Sequence, residues 1–144
     1  MSALRVLTPR EASIFACLTD TIVAPEPVLP AVKRTDAVAS FDRTLELAPR
    51  LNRVGLRALL YVAELAPRLL GCSSRMRRLT TDQRAHALQS AQRSGPAVRG
   101  LTKIVETLAM LSYYGDDGVM RRLGYDADAN VQRGRELRLR EGRP

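Results

Sequence analysis

The most regular run of apolar positions along the chain falls at Leu101, Ile104, Val105, Leu108 and Leu111. Spacings of three and four residues place them on one face of a helix, with Lys103, Glu106 and Thr107 on the polar side. From Leu108 to Leu111 the polar side vanishes: Leu, Ala, Met, Leu. A helix end that is apolar all round needs cover on every side, from its own domain or from a partner. Tyr113-Tyr114 follows, then a Gly-Asp-Asp-Gly turn, a short helical turn through Met120 and Leu123, and Gly124 as a C-cap.

Upstream, Thr8-Pro9-Arg10-Glu11 is a helix start: Thr8 caps, Pro9 suits the first helical position, and Glu11 completes a capping box. That helix runs to about Ala24 with Ile14, Phe15, Leu18 and Ile22 inward. Pro25, Pro27 and Pro30 then impose an extended connector. A second helix begins near Thr35 or Asp36, with Val38, Phe41, Leu45 and Leu47 on its apolar side, and ends before Pro49. Pro49 opens a third helix. Between Val54 and Ala66 only Gly55, Arg57 and Glu64 interrupt its apolar run, which predicts the central buried helix of the fold, with Arg57 and Glu64 as a narrow solvent stripe. Pro67 ends or kinks it, and Leu69-Leu70-Gly71 closes it. Arg75, Arg77 and Arg78 mark a basic connection; Thr80 and Gln83 form a second capping box. The fourth helix runs to about Arg93 with a thin stripe of Ala85, Leu88 and Ala91, so it is peripheral. Ser94-Gly95-Pro96 starts the long helix that carries the first run. No stretch alternates with period two, so no sheet is expected. The fold class is all-α: one domain, a bundle of about five helices over residues 1–126, and an Arg-rich tail over 127–144 that is flexible or ordered by a partner.

The 144 residues suit one modest core, and with aromatics at 4% and no Trp that core is aliphatic. The net charge of +8 is almost wholly arginine, Lys33 and Lys103 being the two lysines. Such a charge attracts nucleic acid, an anionic membrane or an acidic protein. The arginines are spread along the chain, which fits charges scattered over solvated faces. Cys17 and Cys72 form no metal-ligand spacing; Cys17 reads as a small buried hydrophobe, and no disulfide is indicated. No run approaches the roughly 18 apolar residues of a membrane span, and neither a secretory h-region nor a twin-arginine pattern opens the sequence. The expected location is the cytoplasm, with any membrane association made through a partner.

Candidate chemistry is sparse. His86, the one histidine, lies on the thin-striped helix and reads as a surface residue. Asp116 and Asp117 are turn residues, not carboxylates converging across a cleft. No glycine-rich phosphate cradle is present. Arg75, Arg77, Arg78 and Arg84 offer phosphates a basic helical module, the alternative reading of the chain, but stacking aromatics and base-reading side chains are scarce there.

Four segments carry a resemblance: Leu7-Thr8-Pro9-Arg10-Glu11-Ala12; the proline-rich Pro25–Pro30; Leu79-Thr80-Thr81-Asp82-Gln83-Arg84; and Tyr113-Tyr114-Gly115-Asp116 with Val119 and Leu123-Gly124-Tyr125-Asp126. In order and spacing they resemble the gluconate 2-dehydrogenase subunit 3 family, over roughly residues 4–126. The resemblance implies a non-catalytic, chaperone-like small subunit with no substrate, cofactor or metal of its own. The resemblance further implies that its partner would be a large FAD-dependent oxidoreductase of the glucose-methanol-choline type, which would hold the flavin. Exported members of that family often carry a twin-arginine signal, and this sequence shows none. Beside the resemblance, the residues themselves suggest where docking occurs: Leu108, Met110, Leu111, Tyr113, Tyr114, Met120 and Tyr125, aromatics and Met in the middle with arginine at the rim. A second reading of the tyrosines is closure of the domain's own core.

Overall fold

A computed structural model describes residues 4–69, 71–72 and 74–140. Among these residues all regular structure is helical: α1 Pro9–Val23, α2 Ala37–Leu47, α3 Arg50–Leu69, α4 Thr81–Arg93, α5 Pro96–Tyr114, α6 Asp117–Arg122 and α7 Ala127–Arg140, with 3-10 turns at Val32–Arg34 and Met76–Arg78. The expected all-α bundle is present. Both capping boxes form: the Thr8 hydroxyl accepts from the Glu11 N–H while Glu11 accepts from the Thr8 N–H, and Thr80 and Gln83 do the same for α4. Each satisfies two N–H groups that a helix start otherwise leaves without partners.

The central helix is α1, not α3. It packs against α2, α3, α4 and α5. Its Ile14, Phe15 and Leu18 meet Phe41 and Leu45 of α2, Leu59 and Leu60 of α3, Ala87 of α4 and Val105 of α5 in the main core. The rings of Phe15 and Phe41 stack at 4.0 Å between centroids. A smaller cluster of Val32, Ala37, Tyr113 and Val119 closes the end near α6. There the Tyr113 hydroxyl donates to the Pro30 carbonyl at 2.7 Å, which ties the proline connector to α5. Burial raises the Tyr113 pKa, which keeps that donor protonated.

Several inward positions differ from the pattern-based expectation. Leu47 of α2 is exposed. On α4 the buried alanines are Ala87 and Ala91, with Leu88 half-buried and Ala85 exposed. Pro67 is buried inside the last turn of α3, which continues to Leu69; Leu70 lies outside the described residues. A proline there removes one N–H, the donor to the Ala63 carbonyl, and the helix end is closed separately by the Cys72 N–H, which donates to the Pro67 carbonyl at 2.8 Å. On α5 the residues that go inside are Val105, Ala109, Ser112 and Tyr113, while Leu101, Ile104 and Leu111 are exposed. Small side chains at 109 and 112 let α5 approach α1 closely, and that steric advantage outweighs burying the larger leucines. Residues 127–140 of the tail are helical, but the described side chains from Asn130 to Arg140 are exposed, so α7 adds little to the core.

Candidate docking surface

The unusual element is α3, of whose charged residues Arg53, Arg57 and Glu64 turn toward the rest of the domain. Glu64 is 1% exposed. Its carboxylate accepts from the Arg77 Nε at 3.0 Å and from the Arg77 backbone N–H at 3.4 Å. Arg77 also donates to the Ser13 hydroxyl on α1. Two helices earlier, Glu11 of α1 is equally buried and receives Arg57 of α3 through Nε at 2.9 Å and Nη2 at 3.2 Å, besides the Thr8 N–H and O–H. Arg53 of α3 turns back onto the carbonyls of Leu45 and Glu46 at the end of α2. Arg57 and Glu64, expected as a solvent stripe, are therefore the inward edge of α3. A buried carboxylate needs a cation and hydrogen bonds, and supplying them draws the arginine face of the helix inward.

That rotation sends the aliphatic residues outward. Leu51 is 83% exposed and Leu69 82%, with Val54, Val62 and Leu65 between them also exposed. Gly55 and Ala58 share this outer face. The other exposed residues of α3 are Arg50, Asn52 and Arg68. The expectation of a central buried helix thus fails because the apolar run extends right round α3 and the ion pairs decide which half is inside.

The C-terminal half of α3 borders a groove of about 150 Å³. Val62, Ala66 and Leu69 line one wall, Ala87, Leu88 and Ala91 of α4 the floor, and Val98 and Leu101 of α5 the other wall. From Leu101 an apolar ridge continues through Ile104 and the half-buried Leu108 to Leu111, one face of α5 by spacing. The periodic run from Leu101 to Leu111 is thus amphipathic as expected, but most of it lies outside the core.

The seven residues expected at an interface divide as follows. Tyr113 is fully buried and serves the domain's own core. Leu108 and Met120 are half-buried. Met110, Leu111, Tyr114 and Tyr125 are exposed, Leu111 at 67%. The Tyr114 ring meets Tyr113 edge-on, with 5.2 Å between centroids. The apolar end of α5 is thus covered on one side by its own domain and open on the other. Asp116 is structural: its Oδ1 accepts from the N–H groups of Gly118 and Val119 to cap α6, and its Oδ2 accepts from the Asp36 N–H before α2. Leu123 is the C-cap of α6, and Gly124, expected as the cap, follows it at φ +76°, the left-handed position that ends the helix.

The arginines of the nucleic-acid reading are partly committed to the fold. Arg77 is held as above. Arg84 donates to the Leu79 carbonyl and lies 3.3 Å from the Cys17 sulfur. His86 is exposed. Cys17 and Cys72 are unpaired and half-buried; burial pushes the Cys17 thiol pKa up, so it is not an activated nucleophile. Among the described residues no group of three His, Cys, Asp or Glu gathers to hold a metal ion, and no helix is long and apolar enough to cross a membrane.

Two buried carboxylates make stability depend on acidity. Burial pushes the Glu11 pKa up, but Arg57 and the two Thr8 donors outweigh it and hold the group below the ordinary value of 4.5. Burial also opposes ionisation of Asp42, yet the N–H groups of Arg5, Leu7 and Val6 bring it below 3.8. A carboxylate whose folded pKa is depressed contributes stability above its unfolded pKa and loses it as pH falls through the folded value. The melting temperature should therefore hold level down to about pH 5 and fall steadily below about pH 4, and Glu11→Gln should flatten the acid limb while lowering the plateau.

No protein-family model, curated protein or solved structure matches the chain.

Proposed function

We propose that this chain is a non-catalytic accessory subunit that binds and stabilises a larger FAD-dependent oxidoreductase of the glucose-methanol-choline type. The observation that carries the docking half of this reading is the apolar surface the domain leaves uncovered: the ridge Leu101–Ile104–Leu111 of α5, with Met110, Tyr114 and Tyr125 at its end. Apolar residues left exposed close together are one mark of a protein–protein interaction site. The identity of the partner rests on the resemblance to the gluconate 2-dehydrogenase subunit 3 family. On this reading the flavin and the reacting groups belong to the partner, and this chain covers and steadies it.

Recovery of the tagged chain from its native host, with mass identification of the bound polypeptide and an absorption spectrum of the eluate, tests the proposal. A yellow oxidoreductase in simple ratio is the expected result. Tyr114→Ala and Tyr125→Ala should cut its recovery several-fold while leaving the melting temperature of the free chain nearly unchanged, since both rings are about half exposed. A chain that elutes alone, or with nucleic acid only, overturns the reading.

A further inference from the structure

We infer that the outer face of α3 is the seat of an amphipathic helix from a different polypeptide, with an aliphatic stripe and acidic flanks. This deepens the accessory-subunit reading and rests on it only for which polypeptide supplies the helix. Leu51, Val54, Ala58, Val62, Leu65 and Leu69 follow one another at three- and four-residue steps along the exposed side of α3. At 1.5 Å rise per residue this ridge is about 27 Å long, five turns of a packed helix. Gly55 lies on the same face, about one turn in from Leu51. A Cβ added there would meet nothing within 4 Å, so the domain's own packing does not call for glycine, and an exposed mid-helix glycine weakens a helix. A notch of this kind in an aliphatic ridge, here toward its N-terminal end, admits a bulky side chain or close backbone from a partner.

Charge selects the partner. The exposed ionic residues of α3 are Arg50 and Arg68, one at each end of the ridge, while its single acid, Glu64, is turned inward. A second copy packed antiparallel would set Arg50 beside Arg68, and packed parallel would set each beside its own counterpart, on chains that each carry +8. An acidic flank meets both arginines favourably. An anionic membrane fits less well, because in-plane membrane helices are rich in Lys and Arg along the polar face, and of these α3 exposes Arg50 and Arg68 alone.

The probe is a labelled peptide of about five helical turns, leucine along one stripe and glutamate beside it, titrated with the full chain and followed by anisotropy. Saturable binding that weakens with salt is expected. A lysine-flanked peptide of the same stripe should bind at least about tenfold less tightly, and Leu51→Gln with Leu65→Gln should cost at least about tenfold at an unchanged melting temperature. Gly55→Ala should raise the melting temperature and still lower affinity. The inference is overturned by equal binding of both peptides, by indifference to the double variant, by a dimer of the chain that the double variant dissolves, or by phosphatidylserine vesicles capturing the chain through the same residues. An oxidoreductase recovered equally well with the double variant would leave the accessory role standing and remove this site. Peptide binding without any recovered oxidoreductase would keep the site and remove the partner class.

Discussion

Arg77→Ala is expected to cost about 3–4 kcal/mol of unfolding free energy, more than removal of its partner, because it leaves a buried charge alone. Glu64 keeps only 2% of its side chain in contact with solvent, whereas Arg77 keeps 31%. Without Arg77 the carboxylate must take up a proton or drag water inside; without Glu64 the guanidinium can turn to solvent. Glu64→Leu should therefore cost only about 1 kcal/mol, its apolar volume offsetting the lost hydrogen bonds. The Arg77→Met, Glu64→Leu double variant should lie near the Glu64→Leu value, so most of the Arg77→Ala loss is recovered. Urea unfolding of the four proteins checks this, and additive losses would contradict it. If α3 instead faced Glu64 to solvent, as the sequence pattern suggests, neither single substitution would move the midpoint appreciably.

The second large effect is expected at Asp42 on α2. Its carboxylate is 3% exposed and accepts three consecutive backbone N–H groups, from Arg5 at 2.7 Å, Val6 at 3.0 Å and Leu7 at 2.7 Å. This clasp holds the segment before α1 against α2 and seats Leu7 in the core. Charge-assisted bonds to a buried carboxylate are the strong kind, so Asp42→Ala should lose about 3 kcal/mol, not the sum of three separate bonds, since the N–H groups nearer the surface recover water. Asp42→Asn, with one acceptor oxygen in place of two, should fall between. Faster amide exchange at Leu7 should accompany the loss.

What could be read from the sequence was local. The two capping boxes and the proline and glycine punctuation act over three or four residues, and they placed the starts of α1, α4 and α5 and the end of α2. The choice of face was out of reach wherever a helix is apolar nearly all round. For α3 that choice depends on Glu11, 46 positions away from Arg57, and no window of periodicity contains both. For α5 it depends on Ala109 and Ser112, which a search for large apolar residues passes over. Exposure shows the same division: the open apolar end of α5 is legible in the sequence, whereas the burial of Tyr113, whose hydroxyl partner is the distant Pro30 carbonyl, and the exposure of the outer face of α3 are not.

Helix α3 presents Arg57 and Glu64 to the rest of the domain and aliphatics to the outside. In a background with Cys17 and Cys72 replaced by serine, single cysteines at Leu60, Val62, Leu65 and Leu69 report that orientation through their rates of thiol labelling. Val62→Cys, Leu65→Cys and Leu69→Cys should react nearly as fast as a free thiol, and Leu60→Cys, 3% exposed in the native residue, slower by about two orders of magnitude or more, as local opening of a buried site requires. Protection at Val62, Leu65 and Leu69 in the free monomer, with ready labelling at Leu60, would contradict it.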